Sequence, residues 1–254
     1  MKEIRNCFNQ DLKEYKSLAI SLIAIRSLAK NKISDMKILA GATNFSILSS
    51  LPDSNDFDAD CRKFLENTIN LQEVLVNYDN HQGVFEELVH AKIIQRWYEF
   101  LSQLFKYILN SHFSNQKNYT TSKSFKFDTY LDLSVDTGDN IIQNIQERAL
   151  EKFDFLKADD KLKQIEKILN KNVNNEVKKK IKKHIIVRNT WQHNNGIVRK
   201  YDLGQLGDSK IILMNDQAQE LQVKENEKLI ITYYELLEVN RDFRDVSNIL
   251  IPND

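Results

Sequence analysis

Turn-forming residues are scarce in this 254-residue chain, which has 6 glycines and 2 prolines. A sheet-rich fold needs many tight turns, so the scarcity points to long helices. Net charge is missing too, because 36 basic and 36 acidic side chains cancel. No global field therefore draws in a polyanion, although a local basic surface stays open. The two cysteines, Cys7 and Cys61, are too few for a zinc site of their own and fit buried or incidental thiols in a reducing compartment. No apolar run reaches the roughly 18 residues of a membrane span; SLAISLIAI, Ser17 to Ile25, is too short. A basic-then-apolar leader is also lacking, so the expectation is a cytoplasmic protein with no membrane partner.

What is present is ordinary for a soluble domain, with 41% apolar and 28% charged residues. Asp11 to about Lys30 reads as a helix with a broad apolar surface. Lys37 to Asp58 is irregular, Asp58 to Tyr78 resumes helical patterning, and Asn80 to Gly83 marks a break. The clearest helix follows, where Ile93, Trp97, Phe100, Leu104 and Ile108 recur at steps of three or four. Asn115 to Thr137 reads as a surface excursion or short strand. Helical pattern returns over Asp139 to Leu156 and Asp159 to Leu169, and Asn174 suits the N-cap of a helix carrying Val177, Ile181 and Ile185. After Gly196 the segment through Asn215 reads as strand, turn and strand, and Glu227 to about Val246 as a last helix. The predicted fold is mainly α, a helical bundle with a small β-containing C-terminal tail. Residues 1–200 form the helical domain in this reading, and 201–254 a hairpin and helix packed on it.

The segment RNTWQHNNGIV, starting at Arg188, gathers more polar chemistry than any other. Arg188 offers a permanent fork of donors suited to charge on phosphorus, and His193 titrates near neutrality and can move a proton. Against RNA the neighbouring 2′-hydroxyl can attack, so neither a metal nor a cofactor is required; DNA lacks that group. On a regular helix a five-residue step turns about 140° past a full circle and rises about 7.5 Å. Arg188 and His193 therefore do not share a face, whereas Asn189 and His193 do. Convergence needs the chain to unwind at Asn194 to Gly196, or a second subunit to supply the facing wall. By spacing alone, an Arg and a His in a helix with an NNG cap are equally an ordinary helix end.

Between Lys157 and Lys183 stand ten lysines and four acids. They can form a phosphate-tracking surface or simply a solvated helix face. Trp191 can stack on a base or pack against the core, and Glu99 can orient the Arg–His pair or sit on the surface. Trp97 and Tyr98 continue a packing stripe. His81, His90, His112 and His184 show no metal-ligand spacing, so no metal is assigned.

RNTWQHNNGIV resembles the signature of the HEPN superfamily, an Arg followed after four to six residues by a His, with a polar residue after the Arg. The pattern falls on Arg188, Asn189 and His193. The trailing HNNGIV, together with Ile93 to Leu109 and Asp139 to Val198, is similar to a branch of RNA-cleaving HEPN proteins in bacterial defence and toxin systems. The resemblance implies a helical, metal-independent endoribonuclease acting as a homodimer, with RNA as substrate and an antitoxin or defence complex as a further partner. Arg188 would hold the phosphate, His193 serve as general acid or base, and Asn189 orient His193 or a phosphate oxygen. The alternative is a non-catalytic helical dimer that binds RNA or a partner protein.

Overall fold

A computed structural model describes residues 1–35, 44–46, 68–70, 83–117, 119, 125–128 and 139–252. The chain is mainly helical, with a small, unclosed two-stranded element near the C-terminus. It forms two compact units, one of residues 1–19 with 86–254 and one of 20–85.

In the smaller unit lies the second half of helix α1, Lys2–Asp35, and strands β1, Asn44–Ser46, and β2, Thr68–Asn70. The strands pair antiparallel with Phe45 opposite Ile69. Helical patterning over 58–78 is thus corrected at Thr68–Asn70; the other residues between 36 and 82 lie outside those described.

The larger unit is built around α2, Val84–Phe113, which is buried on the stripe that the sequence spacing marks. Trp97, Phe100 and Leu104 are fully buried, and Phe8 of α1 stacks on Phe100 with ring centres 4.5 Å apart. Further along, Phe105 stacks at 4.2 Å on Phe153 of α3, Asp139–Asp154. Asp11 of α1 pairs with Arg96 of α2, fixing the rotation of one helix against the other. Of the 115–137 excursion, residues 125–128 carry no strand, and the Phe125 ring lies 4.9 Å from Phe105.

Helix α4, Ala158–Leu169, leads to α5, Asn175–Asn194, whose N-cap Asn174 accepts a hydrogen bond from Val177 N at 2.8 Å. The last helix, α7, is Tyr233–Leu250, and α5 packs against α4, α7 and a short α6, Lys200–Leu206. That short helix corrects the first strand expected after Gly196. Two glycines suggest a turn there, yet Gly204 lies inside α6, and Gly207 is its left-handed cap at φ 73°. The hairpin is β3, Ile211–Met214, against β4, Glu220–Val223, with Ile211 opposite Val223. Helix α7 starts at Tyr233, six residues later than the pattern suggests, because Thr232 caps it by accepting from Glu235 N at 3.2 Å. The segment before it instead pairs back: Leu229 N donates to Gly196 O at 2.8 Å. Trp97 meets Phe243 of α7 at 5.0 Å, so the final helix closes the same core that Phe8 opens. Among the described residues no helix is long and apolar enough to cross a membrane.

Candidate functional site at the end of helix α5

Helix α5 is amphipathic in an unusual sense, since its buried face carries both aliphatic side chains and an ion network. Ile181, Ile185, Ile186 and Val187 fill the core, and His184 between them is fully buried. Its Nε2 donates to Asp242 Oδ2 at 3.0 Å, and its Nδ1 lies 3.3 Å from Glu235 Oε1. Glu235 also accepts from Lys183 Nζ at 2.8 Å and from Met214 N at 2.9 Å. Burial would raise the Glu235 carboxyl, but His184 and Lys183 outweigh it and hold the group at about 2. Asp242, likewise penalised by burial, is held below its ordinary value by its hydrogen bond to His184. The middle of α5, the hairpin and α7 are thereby tied at a single carboxylate. Carboxylates seven residues apart on one face of α7, as Glu235 and Asp242 are, were the sequence signal for this network.

One turn beyond His184, Arg188 is half-buried and its Nη1 donates to Asn189 Oδ1 at 3.0 Å. His193 is exposed on the last turn. The helix runs regularly through Asn194, and Asn195 then turns left-handed at φ 51° with Gly196 following at φ 80°. Asn195 N and Gly196 N both close the end on Thr190 O, the latter at 3.2 Å, so the last turn is wider than an α-helical one. Unwinding therefore begins after Asn194 and does not rotate His193 toward Arg188. The structure brings Arg188 and Asn189 together and leaves His193 on a different face from Arg188, about 7.5 Å further along the axis. Trp191 is partly buried under Gly196, with Lys228 Nζ 5.5 Å above its ring, so its indole packs within the fold. Glu99 accepts from Gln95 at 3.0 Å and lies 3.5 Å from Arg96, which makes it a surface carboxylate of α2.

Beside Asn189 opens a groove of about 770 Å³, whose walls include Tyr98, Lys157, Lys161, Lys182, Ile186 and Gln205. Sequence reading assigns Tyr98 to packing and gives Gln205 no role. Tyr98 is largely buried, and that burial pushes its phenol up while the charge of Arg188 opposes the shift. Lys161, 6% exposed, lies 3.5 Å from Asp154 and 5.7 Å above the Tyr98 ring.

The lysine run around the groove is largely spoken for. Lys178 pairs with Glu166, Lys179 with Asp208, Lys180 with Asp242 and Lys182 with Asp159, at 2.9 to 3.7 Å. Most of the local positive charge is thus met within the fold, in favour of the solvated-face reading for these positions. Lys157 makes no ion pair among the described residues.

His90 of α2 is fully buried with its ring 6.0 Å from His184, and neither of its nitrogens has a hydrogen-bond partner. Burial above all, with the neighbouring His184 next, pushes it down to about 3. Among the described residues no group of three or more His, Cys, Asp or Glu side chains could hold a metal ion. In comparisons with protein-family models, curated proteins and solved structures, none matches this chain.

Proposed function

We propose that the chain is a metal-independent endoribonuclease that cleaves RNA by attack of a 2′-hydroxyl, in keeping with its resemblance to the HEPN pattern. The supporting observation is the end of α5, where Arg188 and Asn189 are hydrogen-bonded side by side and His193 stands solvent-exposed on the following turn. Arg188 holds the phosphate and stabilises its added charge, His193 moves the proton, and Asn189 fixes the guanidinium. The bond formed is from the 2′-oxygen to phosphorus and the bond broken is from phosphorus to the 5′-oxygen, which takes a proton. The products are a 2′,3′-cyclic phosphate and a 5′-hydroxyl. Since Arg188 and His193 sit on different faces of one helix, a second copy supplies the facing half, and the working species is a homodimer. A toxin or defence role follows from the resemblance, with cellular RNA as the target and a neutralising partner to restrain it. The setting is cytoplasmic.

The same angular separation favours one other reading, a non-catalytic helical dimer in which these side chains hold RNA or a partner protein. Incubation of the purified chain with mixed RNA in EDTA separates the two. Cleavage by the wild type, lost in both Arg188→Ala and His193→Ala, is expected; intact RNA across the pH range would leave the binding reading in place.

A further inference from the structure

We infer that the groove beside Asn189 is a subsite for one unpaired nucleotide of the RNA strand, adjacent to the phosphate held by Arg188. The inference rests on the ribonuclease reading for the identity of its ligand. At about 770 Å³ the groove falls within the roughly 300–1,000 Å³ of small-molecule sites and has room for a nucleoside and its phosphate.

Its walls divide by chemistry in the way a nucleotide does. Ile185, Ile186 and Leu156 supply apolar surface for the face of a base. Asn189 and Gln205 each carry an amide that both donates and accepts, as a base edge requires. Lys157, at the N-terminal boundary of α4, brings a cation with no ion pair among the described residues. The other charges are mutually compensated, Asp154 by Lys161 at 3.5 Å and Asp159 by Lys182 at 3.7 Å. The groove therefore carries one net positive charge from its own side chains, that of Lys157, and no uncompensated carboxylate to repel a phosphate.

Position links this surface to the reactive helix end. Asn189 lines the groove and also holds Arg188 Nη1, so a strand crossing the groove delivers its next phosphate to the guanidinium. A base within a duplex has its pairing edge occupied and its faces stacked. Only an unpaired nucleotide offers edge and face together, so the subsite selects single strands and loops.

Binding can be read apart from cleavage with a short, labelled 2′-O-methyl oligoribonucleotide, whose blocked 2′-oxygen cannot attack. The wild type should bind it more tightly than the matching duplex. Lys157→Gln should weaken binding about fivefold at 0.1 M salt and lower the slope of log K against log salt by about 0.7, the value for one phosphate contact on a single strand. Lys163→Gln, on the same helix but outside the groove, should change neither. Gln205→Ala should alter the preference among homopolymers while the salt slope stays put. Equal binding by Lys157→Gln and wild type, equal affinity for duplex and single strand, or no binding by the wild type would each overturn the subsite. RNA left uncut while groove-dependent binding persists would instead refute the ribonuclease and retain the subsite.

Discussion

Gly196 turns its Cα toward the indole of Trp191, and a Cβ placed there would stand 3.0 Å from both Cε2 and Cζ2. The same residue sits at φ 80°, where a side chain is strained whatever the space. Gly196→Ala combines the two penalties, about 1–2 kcal/mol for the backbone and about 1–3 kcal/mol for the overpacked ring. A thermal melt should show a loss of about 4–20 °C, at about 2–4 °C per kcal/mol. In a Trp191→Val background the loss should shrink by the ring's share; an unchanged loss would count against the contact.

Acid should destabilise the fold earlier than ordinary carboxylates would. His90 is held at about 3 against 6.5 for a free histidine. Between those values the unfolded chain binds a proton that the folded chain does not, so stability falls as pH falls, by about 1.4 kcal/mol per unit. Glu235, held at about 2 against 4.5, adds its own loss lower down. Urea unfolding from pH 8 to pH 4 should show the decline beginning near 6.5. His90→Leu should flatten the upper part of that decline, while superimposable curves would show that His90 is not its source.

Removal of Glu235 should be far more damaging than removal of an exposed partner. Glu235→Ala leaves Lys183 without its carboxylate and frees Met214 N, while His184 keeps only Asp242, at a cost of about 3–5 kcal/mol. Lys163→Ala breaks an exposed pair with Asp160 and should shift stability by less than about 0.5 kcal/mol. Denaturant midpoints of the two variants make the comparison directly.

On the proposed ribonuclease reading, Asn189→Ala should slow cleavage rather than abolish it. The guanidinium of Arg188 keeps its charge but loses the acceptor at 3.0 Å that fixes its direction. A loss of about 1.4 kcal/mol of positioning corresponds to about tenfold in kcat. Single-turnover cleavage at saturating RNA measures it, and a rate equal to the wild type's would remove Asn189 from the reactive group.

Local signals carried most of the helical fold. Asn174 and the Asn195–Gly196 pair are legible as helix ends because capping depends on a few adjacent residues, and both cap where the spacing predicts. The stripe through Trp97, Phe100 and Leu104 is legible for a similar reason. Helix α6 was not, since Gly204 and Gly207 give a turn signal whose outcome depends on packing against α5. Lysine pairing was hidden further still. Lys179 and Lys180 find Asp208 and Asp242 only after the chain has folded back, so a run that looks like an open cationic face is mostly neutralised. The groove beside Asn189 draws on four separate segments, which no linear pattern displays.

Phe8 and Phe243 lie on opposite sides of the same aromatic cluster, joined through Trp97 and Phe100. Synthesis runs from one end, so a growing chain holds α5 well before it holds the helix that anchors His184. Until Glu235 and Asp242 emerge, the helix bearing Arg188 and His193 lacks the carboxylates that pair with Lys183 and His184. On the proposed ribonuclease reading, the reactive helix end is therefore armed only once α7 has been made and has docked.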